Sequence, residues 1–162
     1  KLPPYQGGGE MIDEVKFDKT TYAKLPNKFE AGTPNIAGVI ASGTALDYIN
    51  KIGLDSIANY ESELLDYATK RLMEIEGVKI YGDNNSKTSV ISFNLKDLHH
   101  YDIGSIIDNE GIAVRTGHHC AQPIMDYYKI SGTIRISLSF YNTKQEIDSL
   151  VDAIIQAKKM LT

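Results

Sequence analysis

Gly111-Ile-Ala-Val-Arg-Thr-Gly-His-His-Cys-Ala-Gln-Pro123 holds the single cysteine of this 162-residue chain, together with two adjacent histidines and an arginine. Ile112 and Val114 alternate with Ala113 and Arg115, which predicts a short strand broken at Thr116-Gly117. Ala121 to Tyr128 then has a helix-like mixture of residues. A strand, a sharp turn and a cysteine just beyond it can present a reactive side chain on a short loop. A thiol, with an ordinary pKa of roughly 8.5, becomes a strong nucleophile when nearby cations lower that value. Arg115, His118 and His119 are the cations or proton carriers closest in sequence to Cys120. A lone cysteine is also a small apolar residue suited to burial, and spacing alone leaves both readings open. A metal centre is disfavoured, since three consecutive side chains do not converge on one ion and no second cluster supplies further ligands.

Beyond the loop, Ile134, Ile136, Leu138 and Phe140 alternate with Thr133, Arg135, Ser137 and Ser139. This predicts a strand with one apolar face and places Arg135 opposite the core. An arginine on a rigid strand can grip a carboxylate through two parallel hydrogen bonds, although an exposed arginine needs no ligand. Thr143 and Glu146 have capping-box spacing, and Ile147, Leu150, Val151, Ile154, Ile155 and Leu161 mark a final amphipathic helix. Ahead of the loop, Ile103, Ile106 and Ile107 predict a helix stopped by Gly111, with His99 and His100 as solvated loop residues before it. Ile91, Phe93 and Leu95 alternate as a half-buried strand. Val78–Tyr81 should pair with it antiparallel across a turn at Asp83-Asn84-Asn85-Ser86. Ile57, Ala58, Leu64, Leu65, Ala68, Leu72 and Ile75 trace a long helix from Leu54, with Gly77 as its C-cap. A boundary near Gly53 separates residues 1–53 from a smaller domain over 54–162.

Residues 1 to 34 carry little regular pattern beyond a strand-like patch at Met11–Phe17, and Gly7-Gly8-Gly9 reads as a flexible loop. So long a loose stretch suits a segment lying against other chain better than a complete domain. The start at Lys1, without methionine, fits a piece of a longer protein or a processed one. A helix is expected from Pro34 to about Asn50, with Thr33 as N-cap and Pro34 in the first helical position. Its start, with Gly32 and the Thr33 hydroxyl, suits either a plain cap or an anion such as phosphate. A net charge of -4 argues against nucleic-acid binding. No run of 18 apolar residues offers a membrane span. One cysteine excludes an internal disulfide and fits a reducing, cytoplasmic setting.

Arg115-Thr-Gly-His-His-Cys120-Ala-Gln-Pro123 resembles the active-site segment of pyridoxal-phosphate-dependent cysteine desulfurases. The branch is the SufS-like one, which includes selenocysteine lyases, within the class V aminotransferases. Tyr5–Ile12, Lys28–Asn35, Tyr101–Asp108 and Ile134–Thr143 resemble further segments of that family in the same order, so the likeness covers essentially the whole chain. His100 departs from it, since relatives more often carry proline there. The resemblance implies an α/β fold, in which the end of the large cofactor-binding domain precedes a small domain with a short, largely antiparallel sheet flanked by helices. It implies that Cys120 takes sulfur from L-cysteine as a persulfide, leaving alanine, and that Arg135 holds the substrate carboxylate. Arg115 is a second substrate contact or loop support, and His118 and His119 serve proton movement or loop support. Gly32 and Thr33 would touch the phosphate of a pyridoxal 5'-phosphate held mainly by the other subunit of a homodimer. A sulfur-acceptor protein, with iron–sulfur cluster assembly as the destination, would be the partner. The family's cofactor-bonding lysine has no match here, because Lys1, Lys16, Lys19, Lys24 and Lys28 lie in other motifs. The chain by itself is therefore expected to be inactive. Two alternatives are a selenocysteine lyase or related class V enzyme, and a non-catalytic partner-binding domain.

Overall fold

Residues 2–82 and 87–162 are described by the computed structural model, so the turn expected at 83–86 lies outside the described residues. The chain divides into two compact units, Lys1–Ile52 and Gly53–Thr162. In the first, strand β1 (Ile12–Val15) pairs antiparallel with β2 (Thr20–Tyr22). The strand-like patch at Met11–Phe17 is realised as β1. Its partner falls in a stretch read as loose, because three residues are too few for alternation to register. Gly7–Gly9 is not a free loop. The Gly9 carbonyl accepts from the Met11 amide at 2.8 Å and from the Gly32 amide at 2.9 Å, and a side chain on Gly8 would stand 3.2 Å from the Gly32 nitrogen. Helix α1 (Ile36–Ile52) starts later than expected. Asn35, not Thr33, caps it: Asn35 Oδ1 accepts from the Gly38 amide at 3.0 Å, and Pro34 stays outside the helix. None of the α1 side chains is fully buried, and Ile36, Val39, Ile40 and Leu46 are exposed.

The second unit runs α2 (Leu54–Met73), β3 (Val78–Tyr81), β4 (Val90–Leu95), α3 (His100–Asn109), β5 (Arg115–Gly117), α4 (Gln122–Tyr128), β6 (Thr133–Ser137) and α5 (Lys144–Leu161). Its four strands form one antiparallel sheet in the order β3-β4-β6-β5. This is the mixed α/β arrangement that the alternating segments predict. Ile91, Phe93 and Leu95 of β4 and Ile134 and Ile136 of β6 point to one face. They pack there in one core with Leu64, Leu65, Ala68 and Leu72 of α2, Ile103 and Ile107 of α3, and Ile147, Leu150 and Ile154 of α5. The opposite face carries Ser92 of β4 and Arg135 of β6, register partners, and it is where the chemistry gathers.

Several ends differ from expectation. Helix α2 stops at Met73 with Glu74 as its C-cap, while Gly77, at φ +89°, turns the chain into β3. Strand β6 ends at Ser137, short of Leu138 and Phe140. His99 and His100 are not loop residues. The His99 side chain accepts from the Tyr101 amide at 3.3 Å and caps α3, while His100 opens the helix with only 8% of its surface exposed. Its ring lies 4.2 Å from that of His99, and a side chain on Gly132 would meet its Nε2 at 2.7 Å. Proline suits this first helical position because the amide there needs no partner, which accounts for the substitution being tolerated. The capping box at Thr143 and Glu146 forms as expected.

Two side chains tie α2 to the rest of the unit. Asp148 of α5 accepts from Tyr67 at 2.8 Å and from Arg71 Nε at 2.9 Å. These two donors hold its carboxyl below the ordinary range, Tyr67 contributing most. Glu61 accepts from Ser89 Oγ at 2.9 Å, Ser139 Oγ at 3.2 Å and the Phe140 amide at 3.1 Å, joining α2 to the ends of β4 and β6. Nothing in the sequence singles out Glu61, because its three donors come from residues 28 to 79 positions away.

Glu61→Ala leaves three donors without their acceptor and is expected to cost about 2 kcal/mol in urea unfolding, since hydrogen bonds to a charged group contribute about 1.5–3 kcal/mol. An unchanged midpoint would refute the brace. A second expectation concerns pH. Burial, with the neighbouring His99 and His119 charges, pushes His100 below its ordinary 6.5, and Asp102 opposes this. Such an imidazole binds its proton less well folded than unfolded, so its share of stability is complete above pH 6.5 and is lost as pH falls below it. Urea midpoints should fall between about pH 7 and pH 5, and His100→Pro should flatten part of that slope. An identical slope in the variant would show that His100 is not the titrating group.

Candidate active site around Cys120

The segment before the cysteine folds one step further along than its alternation predicts. Residues 112–114 are not in a strand, and β5 begins at Arg115. Thr116 and Gly117, expected to break the strand, instead pair with Ile134 and Thr133 of β6. Close backbone approach explains this. A Cβ on Gly132 would lie 2.7 Å from the Gly117 carbonyl carbon, and one on Gly104 of α3 would lie 2.3 Å from Thr116 Cγ2. Only glycines at these two positions let β5 seat between β6 and α3. A bare glycine between a strand and a helix marks such close approach.

After β5 the chain bends through the left-handed region. Gly117 has φ +116°, His119 +52° and Cys120 +56°. Non-glycine residues seldom adopt this conformation, and it costs of order 1–3 kcal/mol unless the surroundings hold it. Two hydrogen bonds do so here. The Cys120 amide donates to His118 Nδ1 at 3.1 Å, and the Ala121 amide donates to the His118 carbonyl at 2.9 Å. The His119 ring is also tied down: its Nε2 lies 2.9 Å from Thr133 Oγ1 and 3.2 Å from the Thr133 carbonyl oxygen. Cys120 itself is exposed, so burial as a small apolar residue does not apply. Helix α4 follows and ends at Lys129, also left-handed, from which the Ile130 amide returns to the Met125 carbonyl at 3.0 Å and leads into β6.

The sheet places Arg115 and Arg135 directly opposite each other across β5 and β6, with Ser92 next to Arg135 on β4. Like charges facing each other across a strand pair are destabilising. Arg135 Nε is buried and has no hydrogen-bond partner among the described residues. A cavity of about 370 Å³ opens here, lined by Arg135, His119, Ser92, Thr133, Tyr128 and Met125 among others. Burial pushes His119 below its ordinary 6.5; the Thr133 carbonyl opposes this, while the Arg135, Arg115 and His118 charges reinforce it. The result is a pocket with a guanidinium donor unsatisfied among the described residues and an imidazole whose proton affinity is lowered. It is suited to a small anion such as a carboxylate.

His119 and Arg135 thus line one cavity, Arg115 faces Arg135 across the sheet, and Cys120 and His118 lie on the adjoining bend. Gly32 and Thr33 belong to the other compact unit, where Thr33 is exposed. Pattern reading missed Ser92 and Thr133 as pocket residues. Both occupy polar positions of alternating strands, so the signal was present, but only the register brings them to the same pocket. Among the described residues no three His, Cys, Asp or Glu side chains cluster as a metal site requires, and no helix is long and apolar enough to cross a membrane.

Known proteins resemble this chain in sequence and in fold. The sequence profile described as "Aminotransferase class-V" matches residues 1–150. A probable cysteine desulfurase of Xylella fastidiosa (strain Temecula1) is 46% identical over 160 residues, covering 99% of this chain and 38% of that protein. A cysteine desulfurase of Escherichia coli O139:H28 is 48% identical over 162 residues, covering 99% and 40% respectively. Among solved structures, the cysteine desulfurase CsdA of Escherichia coli superposes with a TM-score of 0.86 at 35% identity, over 99% of this chain and 40% of that one. A cysteine desulfurase from Thermococcus onnurineus gives 0.85 at 38% identity over 97% and 40%. The chain therefore spans about two fifths of the length of the relatives it matches. With a profile match over most of its length and relatives agreeing across nearly all of it, this chain belongs to the class-V aminotransferase family.

Proposed function

We propose that this chain is the carboxyl-terminal part of a cysteine desulfurase, with residues 1–53 closing the large domain and residues 54–162 forming the small one. The observation that carries the reading is the buried, unpartnered Arg135 Nε opposite Arg115, in a pocket beside the bend that exposes Cys120. Desulfurases among the relatives support it by name. The substrate is L-cysteine. Arg135 grips its carboxylate, and Arg115, on the neighbouring strand, adds positive potential to the same face. Cys120, as thiolate, attacks the substrate sulfur. An S–S bond forms, the carbon–sulfur bond breaks with its electron pair on carbon, and that carbon takes a proton to give alanine. The persulfide on Cys120 then passes its outer sulfur to an acceptor protein, for uses such as iron–sulfur cluster assembly. The exposed bend suits such a hand-over because a second protein can reach the sulfur without entering the pocket.

The family implies a pyridoxal phosphate. The residues present fit a contact with its phosphate: Thr33 offers an exposed hydroxyl just after the left-handed Gly32. The Gly32 amide is already given to the Gly9 carbonyl, so Thr33 rather than Gly32 would hold the phosphate. Among the described residues no lysine lines the Arg135 pocket, and under this proposal the covalent anchor comes from another part of the complete enzyme. When bound, the group withdraws electrons from the substrate and makes its carbon–sulfur bond breakable. In the complete enzyme, working as a homodimer in the cytoplasm, Thr33 would serve the partner subunit's cofactor.

The test uses the complete enzyme loaded with its cofactor. Cys120→Ala should abolish protein-bound sulfane sulfur and lower alanine formation at least a hundredfold, because it removes the thiolate that attacks the substrate sulfur. Alanine and sulfide release at the unmodified rate would overturn the proposal. Arg135→Lys keeps the charge but loses the two-pronged grip, and should lower kcat/KM for cysteine by about 10- to 100-fold. A change below twofold would remove Arg135 from substrate binding.

A further inference from the structure

The two neighbouring histidines make different contacts, and the geometry separates their roles. His118 Nδ1 accepts the Cys120 amide. That nitrogen is thereby used to shape the bend, and His118 is a loop residue. His119 faces Thr133, whose carbonyl lies 3.2 Å and whose hydroxyl lies 2.9 Å from Nε2. A carbonyl oxygen can only accept, so a bare Nε2 would set two lone pairs against each other. A protonated Nε2 satisfies the carbonyl and the hydroxyl oxygen together. The other nitrogen, Nδ1, is then unprotonated, and it is buried without a partner among the described residues. Thr133 is itself completely buried on the rigid central strand β6, so it can hold the ring without rearranging.

We propose that Thr133 is the positioning residue that fixes His119 with its Nε2–H engaged, leaving Nδ1 as a bare, buried acceptor on the ring that lines the pocket with Arg135. The consequence is selectivity. Arg135 supplies donors for a carboxylate, and His119 Nδ1 supplies an acceptor for an N–H or S–H group carried next to it. That pairing selects acids bearing a protic group beside the carboxylate over simple carboxylates, which would leave the Nδ1 lone pair without a donor. The selectivity rests on the reading of Arg135 as the carboxylate clamp; the state of His119 does not.

The experiment has two arms that separate these claims. In the full chain labelled with ¹⁵N-histidine, two-bond proton–nitrogen spectra report the tautomer of each of its four histidines, and His119→Asn identifies the His119 signals. His119 should show a protonated Nε2 and an unprotonated Nδ1. Thr133→Val, which keeps the shape and the carbonyl but removes the hydroxyl, should move both nitrogens toward averaged values, and Thr133→Ser should restore them. A protonated Nδ1 in the unmodified chain, or a valine variant with unmoved signals, overturns the assignment. In the complete enzyme, Thr133→Val should raise KM for cysteine about tenfold with kcat changed less, and serine should recover it. A moved tautomer with an unmoved KM overturns the selectivity claim. Failure of the desulfurase reading is seen independently, as unaltered alanine release in Cys120→Ala, and leaves the spectra unaffected.

Discussion

The short contact between the His119 ring and Thr133 is the constraint on which the site depends. Two consecutive non-glycine residues in the left-handed region are expensive for a free loop, and Cys120 stands at the second of them. The ring reaches down to a strand buried in the core, and the His118 side chain closes the turn above it. The strain of the bend is thus carried by the sheet. An exposed thiol on a bend held from beneath is both accessible and fixed in direction, which an ordinary mobile loop could not combine.

The sheet also concentrates charge. Antiparallel register sets Arg115 against Arg135, an arrangement that favours neither strand. Natural sheets avoid such pairs unless something returns the cost, and under the function proposed above the substrate carboxylate would do so. The orphaned Arg135 Nε points the same way, because a buried donor without a partner costs about 1–3 kcal/mol. The lowered affinity of His119 for a proton follows from the same surroundings: burial first, then the arginine charges. One pocket therefore holds an arginine donor without a partner among the described residues and an imidazole whose proton affinity is lowered chiefly by burial.

The stability of this corner is distributed among residues with no part in the chemistry. Glycines 104 and 132 allow the strand, helix and cysteine bend to approach within distances that a methyl group would forbid. Glu61 and Asp148 clamp α2 to the strand ends and to α5. The first unit shows a different balance. Its glycine-rich loop is pinned by the Gly9 carbonyl, whereas α1 leaves a row of apolar side chains exposed. For a chain spanning about two fifths of its relatives, such a face is consistent with a longer polypeptide.

Periodicity alone made most of the second unit legible. Ile91, Phe93 and Leu95 on β4 and the Ile147–Ile154 stripe on α5 alternate or repeat as their burial requires, because side-chain direction along a strand or helix follows from local geometry. The cysteine bend could be located from its glycines and its single thiol. What the sequence by itself could not determine was which residues meet. The start of β5 at Arg115, the burial of His100, the capping of α1 by Asn35, and the three hydrogen bonds to Glu61 depend on neighbours far along the chain or on one short contact. The pocket belongs to the same class: Ser92 and Thr133 are unremarkable polar positions until strand register brings them beside Arg135, which alternation had already set opposite the core. Local pattern decides which way a side chain faces, but only tertiary pairing decides what it faces.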